Sequence, residues 1–283
     1  MERSSEIFVM NTLSHCGKTI GVIFALSTEA DPFVARLTQV TETRATSVTI
    51  LEGSLGDRRV ACVVSGIGIK AATHAASMLI DGHRVGLLIS AGFCGGVDPA
   101  IPRGAVVLPT RVTRDGAPSL LLDWANESSD SDCALTRQLL FSRITNAFVA
   151  CDTIETVDRA MCTLEEKRTL AAGGAHVVDM ETWAVADLAH RQGIGCISIR
   201  VVSDCAGQPL SPEVLQLGKP QSSFHRFGLA IRMITRRPRM AADLWNLWEH
   251  AVIDSRALSK AIEAACSLLP TPRTSSLPTS LGH

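Results

Sequence analysis

Three continuous apolar runs constrain the fold of this chain more than any other feature. They are GVIFAL at residues 21–26, VGLLISAG at 85–92 and GCISIRVV at 195–202. A strand with one face in water alternates apolar and polar residues, whereas a continuous run of this length is typical of a strand covered on both faces. Segments with helical spacing lie between the runs. The pattern therefore predicts an α/β domain whose sheet is buried between helices.

The segment 175–204 combines two such elements with acidic residues. AHVV predicts a short strand, ETWAVADLAHRQG a helix that Gly193 ends, and GCISIRVV a second strand. An acid follows each strand, since Asp179 ends the first with Glu181 close behind, and Asp204 ends the second. Open α/β sheets bind ligands at the carboxyl ends of their strands. We therefore expect these carboxylates to meet at that edge, on neighbouring strands.

Two further charged residues fit the same site. Glu29 lies where the first strand leads into a helix that Ser27 or Thr28 would cap, and Arg200 stands inside an apolar strand. A single acid at such a position is readily explained by the helix dipole or a turn. A charge inside a strand is costly unless it is paired or reaches solvent. Three acids at strand ends together with Arg200 favour a cleft that holds carboxylates around an arginine.

Composition excludes several classes of protein. The 283 residues carry a formal net charge of −1, which gives no electrostatic footprint for nucleic acid or an anionic membrane. No stretch is long and apolar enough for a membrane span. The nine cysteines form no CxxC pair, which predicts reduced packing cysteines in a cytoplasmic protein, without a disulfide framework or a zinc site. We expect no cofactor and no metal.

The chain predicts one principal domain with extensions at both ends. We expect residues 1–18 to be a flexible extension, 19–236 the α/β domain, 237–269 a helix packed on that domain or on a partner subunit, and 270–283 a disordered tail. Within the domain, TSVTILEG and RRVACVVSG predict a hairpin, and AVVLPTRV predicts a single strand. No linker divides residues 19–236 into two domains.

The segment Gly66–Ile67–Gly68–Ile69–Lys70–Ala71 matches the GxGxxG/A pattern after a strand and at a helix start. A dinucleotide fold must therefore be considered. That fold also requires an acid at the end of the next strand to hold a ribose, and the next strand here ends ISAG. The glycines are better explained by a tight backbone turn beside a ligand or strand.

Five segments in order resemble the purine nucleoside phosphorylase and 5′-methylthioadenosine/S-adenosylhomocysteine nucleosidase superfamily. They are IGVIFALSTEADPF, SGIGIKAATHAASMLI, LLISAGFCGGVDPAIPRGAVVLP, VVDMETWAVADLA and IRVVSDCA, within about residues 20–206. The resemblance implies a single three-layer α/β domain whose central mixed, largely buried sheet is flanked by helices. The segment RRPRMAADLWNLWEHAVIDSRALSKAI resembles, more weakly, the C-terminal helical extension of hopanoid-associated phosphorylases.

The resemblance implies a role for each matched residue. Asp204 corresponds to the acid that serves the leaving purine at N7, and we expect burial to keep it protonated. Glu181 corresponds to the carboxylate that binds the ribose hydroxyls, with Met180 under the sugar. Glu29 corresponds to the carboxylate that orients the attacking water, with Arg200 near that water.

The chain departs from the family pattern at the phosphate and base sites. Phe93 stands where the family has a serine in GSAGG or GSCGA, and Ser90 where phosphorylases carry a phosphate-binding arginine. Strand one lacks the GDPxR phosphate loop, and Ile154 replaces the expected aromatic partner of the base. By the same resemblance we assign Gly92, Phe93, Ile154 and Ser203 to substrate binding.

These features together predict an enzyme that cleaves the N-ribosidic bond of a purine nucleoside, with adenine the expected base. Methylthioadenosine, S-adenosylhomocysteine and an adenosyl-lipid are candidate substrates, and water is favoured over phosphate as the co-substrate. A phosphorolytic enzyme and a nucleoside-binding module without turnover remain alternatives. The family also implies a homodimer or a higher homo-oligomer. The sequence leaves the 5′ substituent open.

Overall fold

The computed structural model describes residues 19–45, 48–123, 132–143, 148–161, 163–207 and 238–269. The described helices are α1 Ser27–Val34, α2 Ile69–His83, α3 Asp132–Arg143, α4 Leu164–Ala172, α5 Thr182–Gln192 and α6 Pro238–Leu268. The described strands are β1 Thr19–Phe24, β2 Thr38–Arg44, β3 Thr49–Leu55, β4 Arg58–Val64, β5 Val85–Gly96, β6 Val106–Val107, β7 Arg111–Thr113, β8 Leu120–Leu121, β9 Phe148–Val149, β10 Thr153–Thr156, β11 Val177–Asp179 and β12 Gly195–Asp204. The expected extension 1–18 and tail 270–283 lie outside the described residues.

The strands form one mixed sheet centred on β5. The main path runs β2-β3-β4-β1-β5-β11-β10-β7-β8, while β12 pairs with β5 and β6, and β6 pairs with β9. Strands β1 and β12 run parallel to β5, so the carboxyl ends of these three strands share one edge. The predicted α/β class with a central mixed sheet is confirmed.

The glycine-rich end of β5 changes its partner. Residues 87–95 of β5 pair with β12, whereas its pairing with β1 ends at Ser90. Beyond that point β11 pairs with Gly95 and Gly96 in the antiparallel direction. The expectation that the two strands of the segment 175–204 are neighbours is wrong, because β11 and β12 both pair with β5. Their acids nevertheless converge, since both strands end beside the same stretch of β5.

Helices cover both faces of the sheet, and β1 shows how the layers are separated. Its Ile23 is buried in a core with α2 and α5, whereas its Val22 and Phe24 are buried in a core with α1 and α6. This two-sided burial explains the continuous apolar run. From α6, the apolar side chains of Leu258 and Ile262 enter the second core. The C-terminal helix therefore packs on the domain itself.

One strand was not predicted, and one predicted strand is divided in the structure. The polar segment TQVTETR forms β2, which is exposed throughout and pairs with β3 at the end of the sheet. A strand that packs no side chain in the core leaves no apolar pattern to recognise. The expected single strand AVVLPTRV divides around Pro109 into β6 and β7, which pair with β12 and β10 respectively. Proline lacks the N–H that a continuous ladder requires.

The predicted hairpin is confirmed, whereas the expected cap of α1 by Ser27 or Thr28 is wrong, because Leu26 is the N-cap and its backbone N–H donates to Glu29. Strands β3 and β4 pair antiparallel. Thr163 caps α4 by accepting from the backbone N–H of Glu166, whose carboxylate accepts in turn from the N–H of Thr163. None of the described helices combines the length and apolar character needed to cross a bilayer. None of the six cysteines whose side chains the structure describes forms a disulfide, and five of them are buried.

Candidate active site

Arg200 lies at the centre of a buried polar cluster. It is 1% exposed, on β12, with its Nη2 2.6 Å from Oδ2 of Asp179. The same nitrogen donates to Oγ of Ser90 at 2.6 Å and to Oγ1 of Thr182 at 2.7 Å. Burial disfavours the charge of Arg200, but the carboxylates around it outweigh burial and raise its pKa. The expectation that this arginine pairs with carboxylates is confirmed.

Asp179 is held from three directions besides Arg200. Its Oδ2 accepts from the backbone N–H of Thr182 at 2.8 Å and from the hydroxyl of the same residue at 2.6 Å. Its Oδ1 accepts from Oγ1 of Thr156 at 2.7 Å. The carboxylate thus joins β10, β11, the start of α5 and β12. Asp179 therefore has a structural role in the cluster. Glu181, two residues later in the chain, is the carboxylate that could contact a ligand.

Glu29 approaches Arg200 from the other side of β5. Its Oε2 accepts from the backbone N–H groups of Ala25 and Leu26 at 3.0 and 2.9 Å, and its Oε1 accepts from the N–H of Phe93 at 2.8 Å. Burial raises the pKa of Glu29, while the backbone donors and Arg200 act in the opposite direction. A fixed carboxylate of raised basicity is suited to accept a proton from water.

Gly92 allows Glu29 and Arg200 to meet. A Cβ atom built on Gly92 would lie 2.7 Å from Nη1 of Arg200 and 2.8 Å from Oε1 of Glu29. Any side chain at this position would displace one of the two groups. The Nε atom of Arg200 is also buried and has no hydrogen-bond partner among the described residues. Such a donor is commonly satisfied by a bound water or ligand.

Glu181 lies at the N-cap of α5 and reaches the glycine loop before α2. Its Oε1 accepts from the backbone N–H of Gly68 at 2.8 Å. Burial and the negative charge of Asp179 raise the pKa of Glu181 to about 7. The glycine pattern of residues 66–71 therefore forms a turn beside this carboxylate, as expected. Gly66 and Gly68 adopt φ values of +87° and +95° there, which other residues rarely reach.

Asp204 lies further along the same stretch of β5 but in a different environment. It is buried, and its register partner on β5 is Gly95. Its Oδ2 lies 2.5 Å from Nζ of Lys167, and its Oδ1 accepts from Oγ of Ser203 at 2.9 Å. The expected burial of Asp204 is confirmed, whereas the buried lysine that forms an ion pair with its carboxylate was not expected.

The remaining predicted residues divide between the site and the core. Ser203 is bonded to Asp204. Met180 precedes Glu181 in the chain, Phe93 donates its backbone N–H to Glu29, and the side chains of Met180 and Phe93 are partly exposed. The ring of Phe93 packs against the core that contains α1 and α6. Ile154 is not brought into the cluster, because its side chain is 0% exposed in the core that contains α2 and α5.

Sequence reasoning missed four side chains of the cluster. Asp179 was noted only as an acid at a strand end, and nothing marked the contact residues on other elements, which are Thr156, Thr182 and Lys167. A lysine in the helix TLEEKRTL has the pattern of a solvated face. Its burial depends on where α4 packs, which no local signal specifies.

The described site contains side chains for acid–base chemistry. Within the residues that the structure describes, no group of three or more His, Cys, Asp or Glu is arranged to hold a metal ion. Two cavities of about 440 Å³ each lie elsewhere, one against α1, β3 and β4 and the other against α6. The cluster itself offers two carboxylates with raised pKa values, an arginine with an unpartnered Nε and an ion-paired aspartate.

Comparison with known proteins identifies relatives of the whole α/β domain. Residues 19–222 match the family model of the phosphorylase superfamily. The 5′-methylthioadenosine/S-adenosylhomocysteine nucleosidase of Staphylococcus aureus is 25% identical over 220 residues, which cover 74% of this chain and 91% of that protein. The match to the family ends before α6, so the resemblance of the C-terminal extension to hopanoid-associated phosphorylases stays a prediction.

Solved structures share the fold at lower identity. The 5′-methylthioadenosine/S-adenosylhomocysteine nucleosidase of S. pneumoniae, solved with a transition-state inhibitor, superposes with a TM-score of 0.68 at 18% identity and covers 89% of this chain and 100% of its own. The futalosine hydrolase of Helicobacter pylori also gives a TM-score of 0.68, at 14% identity, over 88% of this chain and 97% of its own. These likenesses confirm the three-layer architecture.

Proposed function

Because this chain belongs to the phosphorylase superfamily, we propose that it cleaves the N-ribosidic bond of an adenine nucleoside by hydrolysis. The proposal rests on the positions of Glu29 and Asp204 beside Phe93 and Gly95 of β5, and on the charge interaction of Arg200 with both Glu29 and Glu181. Cleavage of this bond develops positive charge on the sugar and negative charge on the base. Carboxylates on the sugar side would stabilise the positive charge, and a proton source on the base side would neutralise the negative charge.

The sugar side of the proposed site contains two carboxylates with separate roles. Glu29, fixed by three backbone N–H groups, orients the attacking water and receives its proton. Glu181 has one oxygen bonded to Gly68, so its other oxygen is the proposed acceptor for a ribose hydroxyl. Met180 precedes Glu181 in the chain, and the backbone N–H of Phe93 donates to Glu29. Both side chains are partly exposed, which supports their proposed contact with the sugar. Ser203 and Asp204 form the base side.

Water is favoured over phosphate by the charges around Arg200. The guanidinium is already paired with Asp179 at 2.6 Å, and Ser90 bonds to the same nitrogen. Glu29 and Glu181 add negative charge nearby, which opposes a phosphate dianion. The nucleosidase and hydrolase names of the relatives agree with this preference.

Two other readings are distinguished by products. A phosphorylase would form ribose 1-phosphate, and a nucleoside-binding module would bind the nucleoside without releasing base. The position of Phe93, where the family has serine, motivated the second alternative, but a pure binding site has no need for a proton donor such as Asp204. We also propose a cytoplasmic homo-oligomer, which is supported by the free buried thiols and by the family.

The proposal is tested by incubating the protein with methylthioadenosine, S-adenosylhomocysteine and adenosine, with and without phosphate. We expect free adenine and free ribose product, independent of phosphate. Asp204→Asn should lower kcat by about 10²–10⁴, the range of general acid catalysis. Asp158→Asn, whose side chain is 78% exposed, is the matched control and should retain activity. Binding in a calorimeter without adenine release would contradict the proposal.

A further inference from the structure

Lys167 is a buried cation with no place in the roles assigned so far. It lies on α4 and is 1% exposed. Its Nζ donates to Oδ2 of Asp204 at 2.5 Å and to the carbonyl oxygen of Cys205 at 2.7 Å. An ammonium removed from water costs several kcal/mol unless it is paired. The fold thus maintains a charged lysine directly behind the acid that serves the leaving base.

The carboxylate of Asp204 is fixed by this contact and lies directly beside β5. Ser203 donates to Oδ1 at 2.9 Å while Lys167 donates to Oδ2, so both oxygens are oriented. A Cβ built on Gly95 would lie 3.0 Å from Cγ1 of Val178, 3.3 Å from Oδ2 and 3.5 Å from Oδ1. The backbone of β5 therefore packs close to the carboxylate, and a side chain at this position would press on it.

An ion-paired aspartate has no proton of its own to donate. We propose that Lys167 is the proton source for the departing base and that Asp204 relays the proton, an inference that rests on the proposed function. The C1′–N9 bond breaks and its electron pair goes to the purine. N7 takes a proton from Asp204, and Asp204 takes one from Nζ of Lys167. The attacking water gives its oxygen to C1′ and a proton to Glu29, and solvent restores the ammonium after the base leaves.

Burial supports this direction of proton flow. Transfer of the Nζ proton to Oδ2 leaves two neutral groups, which are less costly to bury than two charges. Lysine changes its protonation state readily when it is buried, whereas an arginine stays protonated. Because Lys167 acts through Asp204, it is a positioning residue that also stores the proton.

The other ionisable groups around Lys167 and Asp204 are either buried or paired with other residues. From β5, the Cys94 thiol is buried, which raises its pKa well above its usual value. From the loop after β5, Arg103 donates to the carbonyl oxygen of Ser203 and pairs with Asp254 of α6 at 2.6 Å. The carboxylates on the neighbouring elements have cationic partners as well, Asp179 of β11 with Arg200 and Glu166 of α4 with Arg159.

The test compares Lys167→Met, Lys167→Arg and wild type on methylthioadenosine. Methionine preserves length without charge, and arginine preserves charge without a transferable proton. We expect both variants to lower kcat by about 10²–10⁴ with little change in KM, because the missing step is proton delivery. Both should retain activity on 4-nitrophenyl riboside, whose leaving group departs as a stable anion. An equal loss on both substrates would overturn the inference.

The pH profile separates a proton store from a simple counter-ion by its sign. If Lys167 supplies the proton, its removal leaves Asp204 alone, and the basic limb of kcat moves to lower pH. If Lys167 merely stabilises the charged carboxylate, its removal makes Asp204 easier to protonate, and the limb moves to higher pH. A shift to higher pH, or full activity in Lys167→Arg, would overturn the inference.

A double variant keeps the inference testable if Lys167→Met alone fails to fold. Lys167→Met combined with Asp204→Asn removes both charges, so no buried charge is left unpaired. A relay through Asp204 predicts that the double variant is no slower than Asp204→Asn alone. An additional loss would overturn the relay. Wild type that releases no base from any nucleoside would instead refute the proposed function, and the relay with it.

Discussion

Removal of the charge of Asp179 should destabilise the protein severely, because it leaves Arg200 buried without its partner. Asp179→Asn keeps the size of the side chain but replaces one carboxylate oxygen with an amide that cannot accept. Oδ1 and Oδ2 between them accept from Thr156, Thr182 and Arg200 at 2.6–2.8 Å. Breaking a buried pair in this way costs about 3–5 kcal/mol. That is a large share of the roughly 5–15 kcal/mol that stabilises a typical domain.

Urea denaturation followed by circular dichroism measures this loss. Asp187→Asn is the matched control, since Asp187 pairs with Arg191 at 2.7 Å on the solvent side of α5, where the arginine is 61% exposed. An exposed pair contributes about 0–1 kcal/mol. If Asp179→Asn loses no more stability than this control, the assignment of Asp179 as the buried partner of Arg200 is refuted. Arg200→Met added to Asp179→Asn should restore stability, because the unpaired charge is then gone.

Three further predictions concern activity. In wild type, kcat/KM should fall as the pH drops through about 7, because Glu181 must be ionised to accept from a ribose hydroxyl and its pKa is raised to about 7. Glu181→Gln should raise KM and abolish this acidic limb of the pH profile. An unchanged limb in that variant would contradict the role of Glu181. Asp179→Asn should move the limb to lower pH, since the Asp179 charge helps to raise that pKa. Gly92→Ala should lower the free energy of unfolding by about 1–3 kcal/mol and reduce kcat, because the added methyl would lie 2.7 Å from Arg200. Wild-type turnover and melting temperature in this variant would show that the close approach of Glu29 and Arg200 at Gly92 is not needed.

The sequence pointed to the site residues wherever a charged residue interrupts or directly follows an apolar segment. Arg200 stands in an apolar strand, and Glu29, Glu181 and Asp204 follow apolar segments, so each was recognisable from its neighbours in the chain. Ile154 was assigned to the substrate on family position alone, and the structure buries it in the core. A hydrophobic residue in a strand gives no local signal of whether it faces a ligand or the core.

The environment of each carboxylate depended on contacts distant in sequence. Lys167 meets Asp204 across 37 positions, and the backbone N–H of Phe93 meets Glu29 across 64. Whether burial leaves an acid neutral or a cation keeps it charged depends on these partners. The burial of Asp204 could be inferred from the apolar strand, whereas the identity of its buried neighbour, Lys167, could not.

The sequence by itself determined the two-sided burial of β1, β5 and β12, and hence the layered α/β class, because apolar periodicity is a local property of the chain. Only the tertiary structure decided that β11 runs antiparallel beside the glycine-rich end of β5, and that α4 brings Lys167 to Asp204. Strand pairing and helix docking arise from contacts between segments far apart in the chain, and the free energies of those contacts are not encoded in either segment alone.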